Sequence, residues 1–169
     1  MALATAGLGF ALAGCGGGAA GVDPSASASA GPTPTVAAVA SAAASVPVTQ
    51  GDEVTAGPRT PKPVKAALAS GRPVVIGFLY GDTADEKVVR AAIRAARRSS
   101  TGRGVDYFVY DVSRKTGFGD LPARLGITET PCVIVIGRDA RVVNVWTGLV
   151  DVDMLAQSIA TAKDSGPRG

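Results

Sequence analysis

The chain has 169 residues, 46% of them apolar, with 17 basic side chains, 14 acidic ones, two cysteines and no histidine. That is enough for one ordinary domain plus a tail. Two cysteines without a histidine exclude a zinc-type ligand cluster and every Ser-His or Cys-His catalytic pair.

Charge divides the chain. All 17 basic residues lie in residues 59–169 beside 11 acids, a net +6, while only Asp23, Asp52 and Glu53 are charged before that point. Such asymmetry marks a boundary between two physically different pieces. A basic piece attracts anionic surfaces. Yet the densest spots are the pairs Arg97-Arg98 and Arg114-Lys115, with no aromatics interleaved. A solvated basic face is the expectation, and nucleic acid is not expected as a partner.

Residues 2–13 (ALATAGLGFALA) are apolar or small throughout, the length of a signal-peptide core and short for a bilayer span. They run into Leu12-Ala13-Gly14-Cys15 and three glycines. This resembles a bacterial lipobox, which implies cleavage after residue 14 and lipidation (diacylglyceryl, palmitate-type acyl chains) of Cys15. Two acyl chains on one residue anchor stably where one is marginal. The membrane, through that anchor, is therefore an expected partner, and the expected location is the extracytoplasmic face of the cell membrane, on the periplasmic or outer-surface side. The usual positive n-region is missing, so either the natural start lies upstream or the signal is atypical. An Ala/Gly-rich start with an incidental cysteine is the alternative.

Residues 16–61 are rich in Ala, Ser, Gly, Pro and Thr, without aromatics. Such composition buries too little apolar surface to offset ordering entropy, which predicts a disordered tether over residues 15–61. As a flexible coil it reaches roughly 40 Å.

The pattern changes after Pro61. Residues 63–70 predict a short helix stopped by Gly71. Residues 73–80 (PVVIGFLY) form an apolar run of strand length, as for a strand covered on both faces. Asp82 or Thr83 can cap a helix over 84–99 whose inner face is Val88, Val89, Ala92, Ile93 and Ala96. Residues 105–112 alternate as a strand, with Asp106 and Asp111 as its polar ends. A short helix near 120–125 follows, then a strand at 132–137, a turn at 138–140 and a returning strand at 141–147. A last helix over 151–163 is expected to turn Val152, Met154, Leu155 and Ile159 inward. Together these predict a parallel β-α-β unit plus an antiparallel hairpin, an α/β fold with a central mixed sheet flanked by helices.

The segment from Leu125 to Gly137 (LGITETPCVIVIG) resembles the thioredoxin-like superfamily's stretch around its cis-proline, with the hairpin following and Gly148 before the last helix. The resemblance spans residues 63–162, so a thioredoxin-like domain is expected over 62–164 with a tail at 165–169. It implies that Pro131 is the cis-proline and that the backbone beside it pairs with an extended substrate. The expected binding groove is Thr130, Pro131, Cys132, Asp82 and Thr83.

Alignment on Phe78 and Lys87 puts Thr83-Ala84-Asp85-Glu86 where the family carries Cys-x-x-Cys. Gly77 stands at the buried proton-relay acid and Asp82 at the tryptophan. Dithiol exchange is therefore not expected, nor a cofactor or metal. The acids Asp82, Asp85 and Glu86 are read as helix-capping charges. Cys132 is the one candidate catalytic group. Nearby acids would raise its pKa, and the plainer reading is a small buried residue opening a strand. Three functions follow: a non-enzymatic binder of a peptide or partner protein, a thiol-disulfide oxidoreductase or peroxide reductase using Cys132 alone, or a structural envelope-assembly component.

Overall fold

The computed structural model describes residues 46–114 and 116–166. The apolar leader, Cys15, most of the expected tether, Lys115 and the last three residues lie outside the described residues. The elements in chain order are α1 (Lys62–Ala69), β1 (Val74–Leu79), α2 (Ala84–Arg98), β2 (Asp106–Asp111), a 3-10 turn (Val112–Arg114), α3 (Leu121–Arg124), β3 (Cys132–Ile136), β4 (Val142–Thr147) and α4 (Val152–Asp164).

The four strands form one sheet in the order β2-β1-β3-β4. β1 pairs in parallel with β2, from Val74↔Asp106 to Leu79↔Asp111, and antiparallel with β3. The hairpin β3-β4 closes through Arg138-Asp139-Ala140, where Ala140 takes a left-handed φ of 59°. The apolar run of β1 explains its place: all six residues are buried, because helices cover both faces of the central pair. Alternation sends Ile76 and Phe78 to the side of α1 and α3, with Ile134, Ile136 and Leu121. It sends Val75 and Leu79 to the side of α2 and α4, with Val89, Ile93, Leu155 and Ile159. Each such side chain taken from water contributes about 1.5–3 kcal/mol, so these two layers dominate the fold's stability.

The helix faces depart from the expected ones by about one residue. In α2 the buried stripe is Glu86, Val89, Ala92, Ile93 and Ala96, whereas Val88 is 52% exposed. In α4 it is Leu155, Ser158, Ile159 and Ala162, and Val152 and Met154 lie outward. Contact with the sheet sets these stripes, and apolarity alone does not encode it.

Part of the expected tether is docked on the domain. Residues 46–60, expected in the tether, run along the domain. Val48 N–H donates to Leu125 O at 3.2 Å, Gly51 N–H to Val142 O at 2.8 Å, and Val54 N–H to Ala140 O at 2.8 Å. Val54 and Thr60 are buried. The docking uses backbone bonds to a strand edge and small side chains, which a low-hydrophobicity segment can supply. Among the described residues, no helix is long and apolar enough to cross a membrane.

Candidate functional site

β1 ends at a turn where Gly81, with φ of 71°, donates its N–H to Asp111 Oδ1 at 3.3 Å. That turn delivers the chain to α2. Thr83, not Asp82, is the N-cap, its Oγ1 accepting from Glu86 N–H at 3.4 Å. Asp85 and Glu86 in the first turn and Arg97 and Arg98 in the last complement the helix dipole. Asp82, Thr83 and Asp85 are exposed, but Glu86 is only 2% exposed and its Oε2 has no hydrogen-bond partner. A capping hydroxyl and a buried carboxyl group thus occupy the two positions that the resemblance aligns with a dithiol. Below them, a Cβ on Gly77 would stand 2.9 Å from Ile93 Cδ1. A side chain at that position requires Ile93 to shift.

Cys132 opens β3 and lies in the core between Phe78 and Thr147, its register partners, at 2% exposure. Burial pushes its thiol pKa up to about 11, against the opposing hydrogen bond of the Thr147 side chain. The cause is desolvation; the charges of Asp82, Asp85 and Glu86 are not among the contributors, which corrects the expectation that they act on it. Its nearest cleft is walled by Pro47, Val48, Leu125, Gly126 and Val145, so the docked N-terminal segment forms part of its cover. A thiol held this far above neutral pH is a poor nucleophile.

The Thr130–Pro131 peptide bond is cis. Pro131 is buried and its carbonyl accepts from Gly148 N–H at 2.8 Å, tying the loop to the end of β4. Among the described residues the Thr130 backbone has no backbone partner. Thr130 borders a groove of about 260 Å³ with Tyr80, Val112, Phe118, Pro122 and Ile127. Tyr80 is 60% exposed at its rim. The sequence holds one signal for this groove, an aromatic closing an otherwise buried strand, and Tyr80 was not among the expected site residues.

The five residues expected to share one groove are therefore distributed. Thr130 lines the apolar groove, whereas Pro131 is buried and does not line it. Cys132 sits beneath a second cleft. Asp82 lines a third, of about 560 Å³, with Arg90, Val109, Tyr110, Asp111, Arg114 and Thr116. Thr83 caps α2. Among the described residues no group of three His, Cys, Asp or Glu side chains is placed to hold a metal ion.

No family model matches the chain, and no curated protein matches it in sequence. Solved structures do match. A chloroplastic thioredoxin z superposes with a TM-score of 0.51 at 14% identity, over 68% of this chain and 96% of its own. A putative thiol:disulfide interchange protein DsbE from Chlorobium tepidum gives 0.52 at 15% identity, over 67% and 96%. A mutant thioredoxin from Halobacterium salinarum gives 0.50 at 16%, over 68% and 100%. Identities this low speak for architecture and not for activity. With the mixed sheet, its helical layers and these neighbours, the chain has a thioredoxin-like fold.

Proposed function

We propose that this protein is a membrane-tethered, extracytoplasmic lipoprotein whose thioredoxin-like domain binds an extended peptide or partner protein beside Thr130 and Pro131, without dithiol exchange. The observation that carries the binding reading is the groove itself. It is apolar, edged by an exposed tyrosine, and bordered at Thr130 by backbone groups without backbone partners. An extended segment satisfies such groups by main-chain hydrogen bonds while an apolar side chain fills the groove. The absence of exchange chemistry is supported by Thr83 and Glu86 at the dithiol positions and by the buried, high-pKa Cys132. The tether reading rests on the lipobox-like residues 12–15.

A photocrosslinker placed at Tyr80 in the tethered protein in intact cells is expected to capture a discrete product, and one at exposed Ala160 is not. Equal labelling at both sites, or none at Tyr80, defeats the groove. Cys15→Ala is expected to abolish acylation and membrane sedimentation; a variant equally acylated and membrane-bound defeats the anchor. Insulin-disulfide turnover that disappears in Cys132→Ser would transfer the assignment to a lone-thiol oxidoreductase.

A further inference from the structure

β2 is an edge strand. It pairs with β1 alone, at the end of the order β2-β1-β3-β4, and no other strand adjoins it among the described residues. A strand so placed directs alternate N–H and C=O groups away from the sheet, where they template a further strand. Near its centre Val109 is 39% exposed.

The flank of this edge is basic. Arg90, Arg94 and Arg97 stand at i, i+4 and i+7 on α2, one stripe of the helix surface. Two of them are located against β2. Arg90 lines the large cleft with Val109, Tyr110 and Asp111, and the Arg97 charge acts on Tyr107. α2 runs antiparallel to β1 and β2 in this crossover, so Arg90 lies toward the C-terminal end of β2, Arg97 toward its N-terminal end, and Arg94 between them.

These charges are uncompensated. The two acids of β2 are already paired, Asp106 with Arg72 at 3.2 Å and Asp111 with Arg114 at 3.3 Å. None of the three stripe arginines has an ion pair among the described residues. Arg90 donates through Nη2 to Gly81 O at 3.3 Å, while its Nε is buried without a partner. Asp82, in the same cleft, is the one carboxylate lining it that lacks an ion pair. Three arginines without ion pairs therefore stand beside an open strand edge, and Asp82 is the one carboxylate of the cleft without an ion pair.

The basic stripe and the open edge together select the ligand. Along α2 these arginines are separated by about 6 and 4.5 Å, from a rise of 1.5 Å per residue. Same-face side chains of an extended strand recur at about 6.7 Å, a mismatch that flexible arginines absorb. We propose that the open edge of β2 and the stripe Arg90, Arg94 and Arg97 form a docking site for an extended acidic segment of a partner protein. The segment adds as a strand to β2 and sets carboxylates at alternate residues against the arginines. This surface is separate from the groove at Thr130. Residues 1–45 of the chain itself contain a single acid, Asp23, and cannot supply the alternating carboxylates.

The test is a titration of the isotope-labelled full chain at low salt with a seven-residue peptide, acetyl-Thr-Glu-Val-Glu-Thr-Glu-Val-amide. The control is its isomer with the three glutamates contiguous. The alternating peptide is expected to shift and protect amides of residues 106–111 and to bind at least about fivefold tighter than the isomer. Arg94→Glu with Arg97→Glu, both exposed and away from the core, is expected to weaken it about tenfold, with the effect fading as salt screens the charges. Equal binding of the isomer, shifts confined to other residues, or insensitivity to the double substitution overturns the proposal. So does occupation of this edge by phosphatidylglycerol vesicles with no peptide bound, or by a second copy of the chain in sedimentation with the same amides protected.

Discussion

Pro47 lies over Gly126 so closely that a Cβ at Gly126 would stand 2.5 Å from Pro47 Cα and 2.6 Å from Pro47 N. Two more glycines sit where this segment meets the rest of the domain. A Cβ at Gly119 would collide with Arg59 O, and one at Gly57 with Asp120 Oδ2. Asp120 in turn accepts from Thr60 Oγ1 at 2.8 Å and Arg59 N–H at 3.3 Å. Residues 46–60 are thus a fitted part of the domain.

Gly126→Ala tests this fit. The position combines backbone contact with a φ of 62°, so alanine meets both a clash and left-handed strain. The expected loss is about 2–4 kcal/mol in chemical denaturation. Faster hydrogen exchange is expected at Val48 and Gly51, together with new protease cuts in residues 46–60. A variant as stable and as protected as the parent would show that the segment is not docked.

Alkaline pH should weaken the fold by a predictable route. Burial holds the Cys132 thiol near 11 against an ordinary 9.0, and the Tyr107 phenol near 12 against 10.0, the latter partly offset by Arg97. Both shifts are upward, so the folded state keeps protons that the unfolded chain releases. This stability is complete below about pH 9 and is lost as pH rises through about 11 and 12. Urea midpoints measured from about pH 8 to 11.5 should fall. Cys132→Ala should flatten the first part of that decline and Tyr107→Phe the second. Unchanged slopes in both variants would refute the assignment.

Gly77→Asp tests how closely Ile93 packs over β1. The new side chain meets Ile93 Cδ1 and is buried as a carboxyl, so destabilisation of about 3 kcal/mol or more is expected. Adding Ile93→Ala should recover part of it by making space. Full tolerance of Gly77→Asp alone would mean that the cavity is larger than this geometry allows.

Thr83→Cys with Glu86→Cys asks whether the dithiol can be rebuilt. The N-cap and the third residue of α2 are one helical turn apart, within the usual Cα separation of a disulfide. Mass spectrometry after mild oxidation should show an intramolecular bond formed by these two, with Cys132 remaining free. Appearance of a Cys132 mixed disulfide instead would contradict its burial.

Several features were readable before any tertiary contact was known. The apolar run of residues 73–80 read as a strand covered on both faces. Asp82 or Thr83 before an amphipathic stretch marked a helix start, and an apolar run from residue 132 put Pro131 just before a strand. These are local signals, written in period, capping and turn residues. The loss of Cys-x-x-Cys was equally local, since residue identity alone decides whether a thiol exists.

What only the tertiary structure decided depends on how elements approach one another. Glu86, not Val88, joins Val89, Ala92, Ile93 and Ala96 on the buried face of α2. Cys132 and Thr130, two residues apart, open on different clefts, because the loop turns at Pro131 as it enters β3. A tether-like composition hid the docking of residues 46–60, whose attachment runs through backbone bonds and glycine close approaches. The arginines of α2 read in sequence as a solvated basic face; their alignment beside the unpaired edge of β2 exists only once the crossover is folded. Sequence thus determined the scaffold and the missing thiols, while packing decided which side chains meet solvent, and in what company.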